Sequence, residues 1–204
     1  MQIAIDHGNK QIKLPGDRVF TSGLRESSTP PPFGEDVLKY KGKYYTISDK
    51  RIPFMRDKSV DDHFYILTLF AIAFEIEDMG RLQSSIMPIQ LLVGLPPTHY
   101  GAQYERFEQY FKRGIEEFEF HEKTFRIDVT EVTAYPQAFA AAMPVYGQIN
   151  TLSKMVVVDI GGGSLLLRKQ IEASGKVASP IFVDKLSANA RGYELLHRVA
   201  RFGR

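Results

Sequence analysis

The 204-residue sequence contains no cysteine, which excludes disulfides and thiolate metal centres and suits a reducing compartment. Charge of one sign is also scarce: 26 Lys and Arg stand against 24 Asp and Glu, a formal net charge of +2. That balance makes no strong field for nucleic acid or anionic lipid, so any link to DNA has to be indirect or local. Long apolar runs are absent as well. The longest uncharged one, Phe64 to Phe74, is far short of the roughly 20 residues that cross a bilayer. The opening Met1-Gln2-Ile3-Ala4-Ile5-Asp6 has neither the basic flank nor the apolar core of a signal peptide. No repeat of about 20 to 50 residues recurs, and low complexity is confined to Ser27-Ser28-Thr29-Pro30-Pro31-Pro32. These absences predict a cytoplasmic protein with no membrane partner.

What is present is ordinary globular material, 44% hydrophobic and 25% charged, enough for one large domain or two small ones. Gln2 to Leu14 alternates apolar and polar residues around Asp6-His7-Gly8, predicting two strands and a tight turn with His7 as a polar turn residue. Residues 21 to 36, rich in Pro and Ser, predict an exposed loop. Val37 to Tyr40 and Tyr44 to Ile47 predict a hairpin turning at Gly42, within a small sheet-based subdomain over about 20–60. Ser59, followed by Asp61 and Asp62, predicts the cap of a helix running to Met79, largely buried. Ile89 to Val93 predicts a buried strand stopped at Gly94-Leu95-Pro96-Pro97, and Tyr104, Phe107, Tyr110 and Phe111 mark one face of the next helix. Strands at 118–120 and 125–132, a helix start at 138–143, a fully buried strand at 155–160 and a helix near 190–199 complete an α/β pattern.

Two segments have the make-up of phosphate-binding turns. In Asp6-His7-Gly8-Asn9-Lys10-Gln11-Ile12-Lys13, a strand delivers a carboxylate to a glycine turn and the next strand returns a lysine. Backbone amides of such a turn can face an anion, the carboxylate can hold Mg²⁺ through water, and the lysine can neutralise a phosphate. An ordinary hairpin with an Asx turn has the same composition. The second segment, Val158-Asp159-Ile160-Gly161-Gly162-Gly163-Ser164, places three glycines inside an apolar hairpin. Their loss of strand propensity, on the order of 0.5–1 kcal/mol each, makes sense where a ligand approaches the backbone.

Together the two turns resemble those of the actin, sugar kinase and heat-shock chaperone ATPase superfamily. The intervening Gly42-Lys43-Tyr44-Tyr45, Arg51, Asp57-Lys58, Asp61-Asp62, Phe64-Tyr65, Gly94-Leu95-Pro96 and Tyr135-Pro136-Gln137-Ala138 resemble ParM/StbA-type actin-like proteins of plasmids and phages. The resemblance, over about residues 1–170, implies an RNase H-like actin-like ATPase domain at 1–150 with an inserted small subdomain, and a second domain opening at 151–204. It implies that Asp6 and Asp159 hold Mg²⁺ through water, and that Gly8, Asn9, Lys13, Gly161, Gly162, Gly163 and Ser164 bind the phosphates of ATP or GTP. Gln137 then aligns the water that attacks the γ-phosphate. The implied function is an ATP-binding filament protein of plasmid or phage DNA segregation, partnered by copies of itself or a full-length actin-like protein, with DNA reached through an adaptor.

Two departures qualify that expectation. Leu166 stands where the family carries an acidic residue, and the chain stops at Arg204, before a glycine-rich adenosine motif. The second domain is therefore expected to be truncated, its nucleotide site incomplete and the apolar surface of 155–167 exposed. Two other readings stay open: an exopolyphosphatase-like phosphotransferase, whose turn Asp159 to Ser164 also resembles, and a non-catalytic chain that binds and regulates an actin-like partner.

Overall fold

Alternating apolar residues in the first strand set the architecture. β1 (Gln2–Ala4) sends Ile3 to one side and Ala4 to the other, and both are buried. The chain stays against its neighbour through the Ile5 amide, which donates to the Leu92 carbonyl at 2.8 Å. It then turns away as β2 (Asp6–His7) and pairs with β3 (Gln11–Lys13), which pairs in turn with β4 (Val19–Thr21). The computed structural model describes residues 1–31, 36–80, 85–151, 153–157, 171, 174, 181, 183 and 187–202.

The remaining elements are β5 (Leu24–Ser27), β6 (Val37–Tyr40), β7 (Lys43–Ile47), α1 (His63–Asp78), β8 (Met87–Leu95), α2 (Pro97–Phe111), β9 (Ile115–Phe120) and β10 (Lys123–Pro136). After these come α3 (Phe139–Ala142), a 3-10 turn at Met143–Val145, α4 (Tyr146–Ile149) and α5 (Ala188–Phe202). One mixed sheet runs β1-β8-β10-β9-β6-β7-β5, and β2-β3-β4 forms a second. β1 and β10 both lie parallel to β8, so these three strands end on the same side.

β8 is buried on both faces, as a central parallel strand requires. Ile3, Leu91, Val93 and Leu95 face a core built from α1 and α2, while Ala4 and Leu92 face a smaller cluster with Ala140 and Tyr193. α1 is surrounded: every residue from Phe64 to Phe74 is buried. It starts at His63 rather than at Ser59, whose hydroxyl bonds the Asp57 carboxylate at 2.7 Å instead of capping a helix.

Several elements differ from the expectation or add to it. Leu24–Ser27, expected as loop, is an edge strand on β7; its Arg25 and Glu26 are both solvent-exposed, which hides the alternation of a half-buried strand. β5, β6 and β7 join the main sheet through the pairing of β6 with β9. Met155 to Val157, expected to be buried strand, is irregular and exposed, Val156 at 87%; residues 158–160 lie outside the described set. α5 packs on β1, β8 and α3. Glycine makes both contacts close: a Cβ at Gly94 would overlap the Tyr193 ring, and one at Gly192 would overlap the Ala140 backbone.

Candidate functional site

The hairpin register places Asp6 directly opposite Lys13. Lys13 Nζ lies 3.2 Å from Asp6 Oδ2, and the carboxylate is almost wholly buried at 2% exposure. Gln137 follows immediately on the last residue of β10, and its amide donates to the Leu95 carbonyl at the end of β8 at 2.8 Å. Its side-chain Nε2 donates to Asp6 Oδ1 at 2.8 Å. The cluster thus sits beyond the carboxyl ends of the parallel strands, the edge at which open α/β sheets bind ligands.

The turn between Asp6 and Lys13 is tight. The Gly8 amide donates to the Asp6 carbonyl at 3.0 Å, and a Cβ at Gly8 would come within 2.6 Å of the Gln11 carbonyl oxygen. Glycine is needed here for that close approach, and its amide is satisfied inside the turn. The Asn9 side chain is also engaged, accepting from the Met55 amide at 3.0 Å. The loop after β7 is strapped over the hairpin by that bond, by the Ile52 amide on the Ser22 carbonyl at 2.8 Å, and by an ion pair of Asp57 with Arg106 of α2.

That loop delivers Lys58. It is 4% exposed and donates from Nζ to the His7 carbonyl. Burial pushes its ammonium down to about 8, with the Asp6 charge opposing the shift and Lys13 adding to it. The Lys13 ammonium pairs with the Asp6 carboxylate, and the Lys58 ammonium lies near enough to feel both charges, an excess of positive charge in a poorly solvated place. His7 corrects the sequence reading: it is a core residue, fully buried and stacked on Phe111 with ring centroids 5.2 Å apart. Burial first and the Lys58 charge second lower its imidazole to about 3, so it is neutral. Thr68 commits its hydroxyl proton to the Phe64 carbonyl at 2.7 Å, so at 2.8 Å it accepts from His7 Nε2–H, which fixes the tautomer.

Gln137 rides on an unusual turn. Ala138 has φ 61 and ψ −55, and the Phe139 amide donates to the Gln137 carbonyl at 2.6 Å. This is the classic γ-turn, rare for a residue with a Cβ and costing on the order of 1–3 kcal/mol. Asn189 of α5 reaches both sides of it: Oδ1 accepts from the Ala138 amide at 3.0 Å, and Nδ2 lies 3.5 Å from Asp6 Oδ2.

The structure therefore brings together Asp6, Lys13 and Gln137 of the residues singled out from sequence, with Gly8 and Asn9 in the turn beside them. Asp159, Gly161, Gly162, Gly163 and Ser164 lie outside the described residues. Lys58 and Asn189 were not singled out for the site. Lys58 sits in a segment that carried the family resemblance, which is its one sequence signal, whereas Asn189 reads as an unremarked polar residue of a helix. One buried carboxylate beside two ammoniums suits a polyphosphate with Mg²⁺, an ion that takes one or two carboxylates plus phosphate oxygens and water. No cluster of three or more metal-binding side chains occurs among the described residues, and none is needed for that mode.

Residues 4–139 match the family model described as the actin like proteins N terminal domain. The chain belongs to the actin-like proteins. No curated protein sequence matches it significantly. Among solved structures, the AlfA filament bound to AMPPNP is 16% identical with a TM-score of 0.66, covering 98% of this chain and 97% of AlfA. Apo ParM of psk41 is 15% identical, TM-score 0.55, covering 70% of this chain and 51% of ParM. Actin-like protein Alp7A is 16% identical, TM-score 0.55, covering 71% of this chain and 47% of Alp7A. The chain thus spans about half the length of Alp7A and ParM but aligns along nearly all of AlfA. At these identities the likeness is one of fold, and it makes the fold actin-like.

Proposed function

We propose that this chain binds the triphosphate of ATP or GTP at the Asp6, Lys13 and Gln137 cluster and assembles as an actin-like filament in plasmid or phage DNA segregation. The observation that carries the reading is the bond from Gln137 Nε2 to Asp6 Oδ1, which joins positions 131 apart in sequence at the edge of the parallel strands. Lys13 and Lys58 neutralise phosphate oxygens as point charges. Asp6 is the residue that would hold Mg²⁺, and the ion would supply further charge neutralisation on the phosphates. Gln137 commits its Nε2 to Asp6, which leaves Oε1 to accept from and orient the hydrolytic water. By the sequence resemblance, Asp159, Gly161 to Gly163 and Ser164 contribute further phosphate and Mg²⁺ contacts.

The AMPPNP in the AlfA filament and the filaments formed by several structural relatives support this reading. No helix among the described residues is long and apolar enough to cross a membrane. Partners are then copies of the chain or a full-length actin-like protein, with DNA reached through an adaptor and the work done in the cytoplasm.

Calorimetric titration with Mg²⁺-ATP and Mg²⁺-GTP tests the site. Asp6→Ala removes the group that both Lys13 and Gln137 hold, so affinity is expected to fall at least about tenfold, the weight of one charge-assisted interaction. Unchanged affinity in Asp6→Ala removes this cluster from nucleotide binding.

A further inference from the structure

The turn bearing Gln137 is strained, and besides its own Phe139-to-Gln137 bond it is anchored from outside. Its first two amides are anchored in different places: Gln137 N–H on the Leu95 carbonyl at the end of β8, and Ala138 N–H on Asn189 Oδ1 at 3.0 Å. The second anchor comes from α5, remote in sequence. An amide donor requires an acceptor, so the Asn189 carbonyl oxygen faces Ala138 and its NH₂ group is left for Asp6 Oδ2, 3.5 Å away. We propose that Asn189 is a positioning residue of the phosphate site, clamping the Gln137 turn so that the Gln137 side chain stays on Asp6. This rests on the reading of that cluster as a nucleotide site.

Helix capping does not account for Asn189. A capping side chain accepts from an amide of its own first turn, whereas Asn189 accepts from Ala138, 51 positions earlier. Its own position is fixed from three directions. Arg191 Nη2 binds Asp17 Oδ2 at 2.8 Å and Arg191 Nε binds Ser187 Oγ at 3.1 Å, tying the start of α5 to the turn before β4. Gly192 lies against the Ala140 backbone, and Tyr193 lies across Gly94 of β8 and stacks on Tyr135 with centroids 5.9 Å apart. Asn189, Gly192, Tyr193 and His197 form one buried stripe at helical spacing, and the site end of that stripe is Asn189.

The test uses the full chain carrying Asn189→Ala or Asn189→Asp, with amide hydrogen exchange at Ala138 and single-turnover phosphate release from Mg²⁺-ATP as readouts. Asn189→Ala is expected to speed exchange at Ala138 by at least about tenfold and leave Leu91 and Leu92 unchanged. It slows phosphate release about tenfold while nucleotide affinity shifts less than about threefold, because water alignment rather than binding is lost. Asn189→Asp keeps the acceptor but turns a second carboxylate oxygen toward Asp6 Oδ2, so Ala138 protection stays within about threefold of the parent chain under mildly acidic conditions, where the two carboxyls share a proton.

Unchanged exchange at Ala138 in Asn189→Ala overturns the clamp, as does exchange in Asn189→Asp as fast as in Asn189→Ala. Should Asn189→Ala fail to fold, Asn189→Leu, which keeps the volume and lacks the acceptor, is read against the parent by the criterion set for Asn189→Ala. A parent chain that binds no Mg²⁺-ATP overturns the nucleotide reading and leaves the exchange result to decide the clamp alone.

Discussion

Lys58 is a charge held at a cost. Its ammonium is buried, its hydrogen-bond acceptor is the His7 carbonyl, and burial pushes its pKa down to about 8 from the 10.5 of an ordinary lysine. Because the unfolded chain binds the proton more tightly, this residue destabilises the fold fully below about pH 8, and the penalty fades as pH rises toward 10.5. A hydrophobic residue of similar length removes it. Lys58→Met is therefore expected to stabilise the chain by about 1–3 kcal/mol at pH 7 in urea unfolding, with the gain shrinking between pH 8 and 10. The same substitution weakens Mg²⁺-ATP binding, since a buried cation kept against its own stability is explained by an anion that uses it. A variant less stable than the parent at pH 7, or one with unchanged nucleotide affinity, removes Lys58 from the site.

At the scale of elements, α5 decides how the site is closed, and glycine decides how α5 is seated. In a free helix Gly192→Ala gains up to about 1 kcal/mol from propensity. Here the new Cβ overlaps the Ala140 backbone, which has no rotamer to escape into. Overpacking of this kind costs about 1–3 kcal/mol or more, so the clash wins and Gly192→Ala is expected to lower the urea midpoint at unchanged m-value. A raised midpoint shows that α5 does not sit against α3.

Such seating is where sequence reading stops. The β6–β7 hairpin is legible because its turn demands positive φ, met by Lys41 at 49° and Gly42 at 77°. The pairing of Asp6 with Lys13 is legible because the glycine turn fixes the register, and Gln137 because its neighbours carry a family pattern. β5 is not, since an edge strand can keep adjacent Arg25 and Glu26 in solvent. His7 misleads because burial, not residue type, makes it a core group. Asn189 is silent because its meaning lies in a contact to Asp6 across 183 positions, and no local periodicity records that distance.

For the whole molecule, the packing of α5 bears on where one unit ends. A helix belonging to a separate second domain has little energetic link to the first sheet, and removing it leaves that sheet intact. α5 instead covers Ala4 and Leu92 through Tyr193, meets Gln90 and Tyr135 through His197, and bonds Asp6 and Ala138 through Asn189. Fully burying one large side chain is worth about 1.5–3 kcal/mol, and net stabilities of domains are about 5–15 kcal/mol. Loss of the Tyr193 contact and its neighbours therefore takes a large share of the total. Deleting residues 187–204 is expected to lower the thermal midpoint by at least about 10 °C and to expose the β1–β8 face to a hydrophobic dye. The parent chain is expected to unfold in one transition by calorimetry and by circular dichroism. Two separated transitions, or a deletion variant as stable as the parent, assign α5 to an independent unit and detach Asn189 from the energetics of the first.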